Sequence, residues 1–358
     1  MTPMTTPPIA AVPPGAAVQR QRARESRRAR MLLLFAALLT ATLLLDVATG
    51  PSLLALRDVV STLLHPQQAD AMTRAIVMDM RLPIALMALV VGAALGLGGV
   101  QMQTLLDNPL ASPFTLGLAA AAGFGAALAL VTDGLGLPQL LAIPLGAFIF
   151  CMLAASLLFG LAMLRNVSSQ TFILAGIALL FLFQSLLSLV QFMASPELNQ
   201  QIIFWLFGSL MRTTWPMLAI TTGITVVCAV LLQRDAWALT CLRLGEARAR
   251  SLGVNVTRLR LKTLVLVALM TATAISFVGI IGFIGLVAPH IARMLVGEDQ
   301  RYLMPLSALC GALLLSTASV LSKSIVPGAL FPIGIVTALI GVPFFIWLVL
   351  SRRGRGRA

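Results

Sequence analysis

The chain has 358 residues, of which 59% are apolar and 10% charged, with a mean hydropathy of +0.98 and a formal charge of +13. This composition excludes an ordinary soluble domain. Apolar stretches of about 20 residues, enough to cross ~30 Å of hydrocarbon, recur along it, so the reading is a polytopic helical membrane protein.

The charge does not point to nucleic acid, because the basic residues fall between apolar spans in the positive-inside pattern. The four cysteines (Cys151, Cys228, Cys241, Cys310) are scattered without C-x-x-C spacing. They read as small buried hydrophobes rather than disulfides or metal ligands. The first apolar run reads as an uncleaved first span rather than a signal peptide.

In chain order, residues 1–19 are rich in Pro, Ala and Thr and carry no charge, and Arg20 to Arg30 holds six arginines. Together, residues 1–30 are expected to be a disordered basic cytoplasmic tail. Span 1 is expected at 31–49, followed by an outer loop over 50–81. Span 2 (82–105) is glycine-rich and ends at Asp107-Asn108-Pro109. Gly92 and Gly96 there suit close helix packing rather than flexing. Spans 3, 4 and 5 are expected at 114–132, 139–164 and 171–193, with a short link from Arg165 to Gln170. Residues 195–214 read as an outer loop with a short interfacial helix, and span 6 as 215–233.

Leu239 to Thr263 is the longest polar interruption in the last two-thirds of the chain. Seven basic residues lie in or beside it (Arg234, Arg243, Arg248, Arg250, Arg258, Arg260, Lys262). It nevertheless reads as folded. Glu246 stands four residues before Arg250, the favourable helical order. Gly253 is a plausible helix stop and Asn255 a plausible cap. Residues 239–262 are therefore expected to be a structured cytoplasmic loop. Beyond it, glycines at 279, 282 and 285 mark a reversal between span 7 (263–279) and span 8 (281–296). Gly297 to Arg301 is a polar turn, and spans 9 and 10 fall at 303–321 and 332–350.

Ten spans make residues 31–351 one transmembrane domain, followed by a second basic tail over 352–358. Only five of the 25 Lys and Arg then lie outside (Arg57, Arg74, Arg81, Arg212, Lys323). This asymmetry puts both termini in the cytoplasm of a cell inner membrane.

Little supports chemistry within the chain. There are two histidines, no H-E-x-x-H or G-x-S-x-G, and neither lysine stands in a phosphate-binding G-x-x-x-x-G-K-[ST] loop. No catalytic residue, metal or cofactor is expected. If the protein pumps, energy enters from another chain at the structured loop. Gln184, Ser188 and Gln191 share one face of span 5. That face either joins helices or lines a polar path. His290, after Pro289, suits a structural role at a helix break.

Several motifs, in order, resemble the permease subunits of binding-protein-dependent ABC importers for iron–siderophore, haem and cobalamin. They are Arg81-Leu82-Pro83, Gln103 to Ala111 (QTLLDNPLA), Leu174 to Ala178 (LAGIA) and Trp205 to Ser209 (WLFGS). The strongest are Leu244-Gly245-Glu246 with Ala249 to Gly253 (ARSLG), Gly282 to His290 (GFIGLVAPH) and Pro332 to Phe345 (PIGIVTALIGVPFF).

The resemblance implies an all-α fold like that of a cobalamin-importer permease. It also implies a homodimer with a path on its two-fold axis, two cytoplasmic ABC ATPase subunits and a periplasmic substrate-binding protein. It assigns ATPase coupling to Gly245, Glu246, Ala249, Arg250, Ser251, Leu252 and Gly253. Docking of the binding protein falls to Arg81 and Lys323, and the path to Gln184, Ser188 and Gln191.

The chain departs from the family pattern at Ile84, Ser319 and Leu330, which puts docking in question. The expected function is import of an iron chelate, a ferric siderophore first, with ATP hydrolysed on a partner. Haem or cobalamin as cargo, and ion-coupled secondary transport, are the alternatives.

Overall fold

The computed structural model describes residues 14–50, 54–163, 169–325 and 331–353. Residues 1–13 of the N-terminal tail, Arg165 of the expected link, Leu330 and residues 354–358 of the basic tail lie outside the described residues.

Hydrocarbon offers a backbone no water, so each crossing must pair its own amides. The described chain is accordingly helical throughout. α1 (Pro14–Ala48), α2 (Leu56–Leu64) and α3 (Ala71–Arg74) come first. A π-helical turn (Ala75–Arg81) then runs directly into α4 (Leu82–Leu105). α5 (Leu118–Val131), α6 (Gln139–Met163), α7 (Ser169–Met193), the short α8 (Pro196–Leu206) and α9 (Trp215–Arg234) follow. α10 (Ala236–Leu242) and α11 (Glu246–Ser251) occupy the polar interruption. α12 (Val256–Val278), α13 (Ile284–Val296), α14 (Gln300–Ser324) and α15 (Ile333–Arg353) complete the bundle.

Among the described residues, seven helices are long and apolar enough to cross a membrane, and α5, α13 and α15 are shorter apolar helices. Each expected span therefore has its helix. Two boundaries differ for a physical reason. α1 is helical from Pro14, within the tail expected to be disordered. Its Ala, Gln and Arg residues are good helix formers, and a helix growing out of a finished span needs no new nucleus. α5 and α13 begin later than expected: a turn ending at Gly117 (φ 81°) precedes α5, and between Gly279 (φ 75°), which ends α12, and Phe283 (φ 67°), which leads into α13, the chain is not helical.

The centre of the bundle is α4, which packs on α14, α13, α12 and α9, while α5 packs on α6 and α7. The contact with α14 is made backbone to backbone. A side chain at Gly92 would collide with the carbonyl of Gly311, and one at Gly96 with that of Ser307. Small residues create this approach, and dispersion between the two backbones holds it.

α1 lies on the outside of this core and is strapped along α14 at both ends. At one end Arg28 pairs with Asp299, the N-cap of α14, at 3.4 Å and lies over the Tyr302 ring. A hydrogen bond from Arg301 holds the Asp299 carboxyl below its usual range, and so keeps it charged for Arg28. At the other end Lys323 Nζ stands 2.7 Å from Asp46 Oδ1, and the Ser319 hydroxyl donates to the same oxygen at 2.9 Å. Arg81 donates to the carbonyls of Val47 and Ala48, the last residues of α1, at 3.1 and 2.9 Å. Both cations thus meet the negative end of the α1 dipole.

A buried ion pair costs most when half of it is removed. Lys323→Met alone should lower stability by about 3 kcal/mol, because Asp46 is left buried without its partner. Adding Asp46→Leu should recover most of that loss. Thermal melting in detergent measures both variants; equal melting points for single and double would contradict the account.

Candidate functional site

The polar interruption folds into a projecting plug. α10 buries Ala236, Leu239, Cys241 and Leu242 against the bundle. Gly245, at φ 101°, then turns the chain outward into α11. Ala249 is fully buried and pins α11 to its base, while Ala247, Arg248, Arg250 and Ser251 face outward. Leu244 and Leu252 flank the helix as apolar side chains about half exposed.

The end of the plug is set by hydrogen bonds. The Gly253 amide donates to Arg250 O at 3.0 Å with φ 83°, and the Val254 amide returns to Ala249 O at 3.0 Å. Asn255 then caps α12, accepting from the Arg258 amide at 3.0 Å. Glu246 holds Arg250 at 3.4 Å and also pairs with Arg260 from the first turns of α12. Lys262 meets Asp235 at 2.5 Å. Gly245, Glu246, Ala249, Arg250, Ser251, Leu252 and Gly253 therefore form one compact element.

The two residues expected to dock a soluble partner are placed otherwise. Arg81 is 5% exposed and committed to the carbonyls ending α1, and the Lys323 side chain is 6% exposed and paired with Asp46. Neither offers free charge at the surface of this chain. The cations exposed at that end are Arg57, Arg74 and Arg212.

Gln184 and Ser188 are exposed and Gln191 half-buried, all on α7. Their common face points away from the core, whereas Phe183 and Leu187 of the same helix point inward. At the end opposite the plug, three motifs meet. The Ser209 amide donates to Val278 O at 2.7 Å, and the Gly334 amide to Phe207 O at 3.0 Å. Gly208, Gly279 and Gly334 allow the contact, since a side chain at any of them would strike the backbone of another strand of this knot. Beside the knot lies a cavity of about 320 Å³, walled by Phe204, Trp205, Phe277 and Phe331. Among the described residues no three His, Cys, Asp or Glu are grouped to hold a metal ion.

Sequence reasoning missed Arg243, Asp107 and Glu298, which stand together beside the plug: Arg243 reaches Asp107 at 2.5 Å and Glu298 at 3.2 Å. The available signal was position. All three lie at span ends assigned to the same side by the alternation of the chain.

Residues 38–351 match the FecCD transport family. The chain is 37% identical over 295 residues to the hemin transport system permease protein HmuU of Yersinia pestis, covering 82% of this chain and 88% of that one. It is 39% identical over 280 residues to the Fe(3+) dicitrate transport system permease protein FecD of Escherichia coli, covering 78% and 86%. The fold matches an inward-facing ABC transporter chain, described as of metal-chelate type, with a TM-score of 0.79 at 31% identity, over 90% of this chain and 99% of that one. The chain therefore belongs to the FecCD transport family, as a multi-pass membrane permease of the ABC importer type.

Proposed function

We propose that this chain is the membrane subunit of an ATP-driven importer for an iron chelate, a ferric siderophore first and haem second. The observation that carries the reading is the plug from Leu244 to Gly253. It is a short, well-fixed helix projecting from a chain that has no phosphate-binding loop of its own. Such an element suits the cleft of a separate ATPase, and two cytoplasmic ATPase copies would serve two permease copies. The plug end then faces the cytoplasm, with both termini, and the knot end faces a soluble binding protein.

Two features support a homodimer. The cavity beside the knot, about 320 Å³, is at the low end of the volumes that hold drug-sized ligands, about 300–1,000 Å³, and so does not suit a bulky chelate. The Gln184–Ser188–Gln191 face opens away from its own bundle and needs a second copy as its opposite wall. A path lined by uncharged hydrogen-bonding groups would pass a chelate without trapping it. The relatives named for hemin and ferric dicitrate support this cargo class.

Gly253 tests the coupling role. A proline there can neither adopt φ 83° nor donate to Arg250 O. Gly253→Pro should leave the protein in the membrane but lower chelate uptake per ATP hydrolysed by roughly tenfold. Parent-like uptake in reconstituted vesicles with the ATPase would remove the plug from the mechanism.

The binding protein, in this reading, meets Arg57, Arg74 and Arg212. Arg74→Glu with Arg212→Glu should weaken its affinity in a salt-dependent way. Surface plasmon resonance at two ionic strengths measures this, and an unchanged dissociation constant at low salt would refute it.

A further inference from the structure

Five side chains beside the plug close into a ring. Arg243 caps the C-terminal end of α10, two residues before the glycine that turns into α11. Its Nη1 is 2.5 Å from Asp107 Oδ1 and its Nη2 is 3.2 Å from Glu298 Oε1. The same Glu298 oxygen is 3.0 Å from Nε of Arg293 on α13. Arg293 Nη1 donates at 2.9 Å to Gln103 Oε1, in the last turn of α4. Gln103 lies four residues before Asp107, and its carbonyl accepts from the Asn108 amide at 3.2 Å, which closes the helix end. The ring therefore joins three elements: the base of the plug, the end of α4, and α13 with the turn that follows it.

Two details indicate that the geometry, rather than the energy, is what matters. Asp107 holds a left-handed backbone, φ 46°, which a non-glycine residue adopts uncommonly and Asp better than most. Its side chain is 83% exposed and that of Glu298 44%, so each pair is screened and worth little stability. Arg243 is less exposed, and its planar fork fixes the directions of the bonds to two carboxylates, which a lysine's rotatable ammonium does not.

We propose that Arg243, gripping Asp107 and Glu298 together, is the positioning residue through which movement of α11 reaches α4 and α13. This rests on the importer reading above. In a complex with an ATPase, a shift of α11 acts first on the two-residue link back to Arg243. With the ring intact, the link cannot move without carrying the α4 end and the α13–α14 turn. With the ring open, the plug can follow the ATPase while α4 stays behind.

The four native cysteines are all buried, so cysteines added at exposed positions can be labelled selectively. Spin labels at Leu110, on the turn after α4, and at His65, near the opposite end, report the displacement of the α4 end. The full chain is assembled with its ATPase, and the distance distribution is compared with and without ATP and Mg²⁺.

The parent complex should show an ATP-dependent change, and Arg243→Ala should reduce it by about fivefold or more. Arg243→Lys and Glu298→Gln should each reduce it in part, and Glu298→Asp should retain it. Thermal midpoints within a few degrees of the parent would separate this from a folding defect, as expected for screened pairs. A full parent-like change in Arg243→Ala with ATPase bound would overturn the inference, as would full retention in Glu298→Gln. If the parent chain bound no ATPase at all, the importer reading would fall, and this inference with it.

Discussion

Hydrocarbon cannot solvate a charge or a bare backbone amide, and most of this architecture follows from meeting that constraint inside one chain. Asp46 is fully buried and stands only because Lys323 and Ser319 reach it. Arg81 is buried and stands because the last carbonyls of α1 lack partners within their own helix. Where α12 ends, the Ser209 amide donates to Val278 O, the last carbonyl of that helix, and the Gly334 amide donates to Phe207 O, so neighbouring segments meet backbone groups that the helix ends leave open. These arrangements join helices that a lipid solvent would otherwise have little reason to hold together.

The same constraint explains what could be read from sequence. Hydropathy located a helix for each expected span because a crossing must be apolar for its whole length, although α5, α13 and α15 are shorter than a full crossing. Glu246, Arg250, Gly253 and Asn255 were legible because their contacts are local: an i, i+4 pair, a helix stop and a cap. The Arg260 contact to Glu246 crosses a turn and had no local signature.

The inward contacts of Arg81 and Lys323 were not legible, because position near a span end does not say which way a side chain turns. Asp46, near the end of α1, finds its partner 277 residues further along the chain. The absence of an acid at Ser319, read as a departure from the family pattern, has a physical counterpart. Ser319 donates to a carboxylate that arrives from α1 instead.

The packing also restricts how a force applied at the plug could travel. α4 and α14 touch backbone to backbone at Gly92 and Gly311, a contact with no side chains left to repack, so the pair moves as a body or not at all. α7, which carries the proposed path, is not packed on α4. One connection between them is the turn from Asp107 to Gly117. At one end it carries the carboxylate held by Arg243. At the other, the backbone of Gly117 lies so close to Leu180 that a side chain there would come within 2.7 Å of the Leu180 amide, and Leu116 fills the space left by Gly176. Leu180 is one helical turn before Gln184. Leu116 and Gly117, a few residues after QTLLDNPLA, therefore meet α7 at Gly176 of LAGIA and at Leu180, one turn from its uncharged face. The proposed path carries no charges, which leaves little means of gating by electrostatics. On that proposal the chain gates by moving walls, and this turn is one place where a wall is attached.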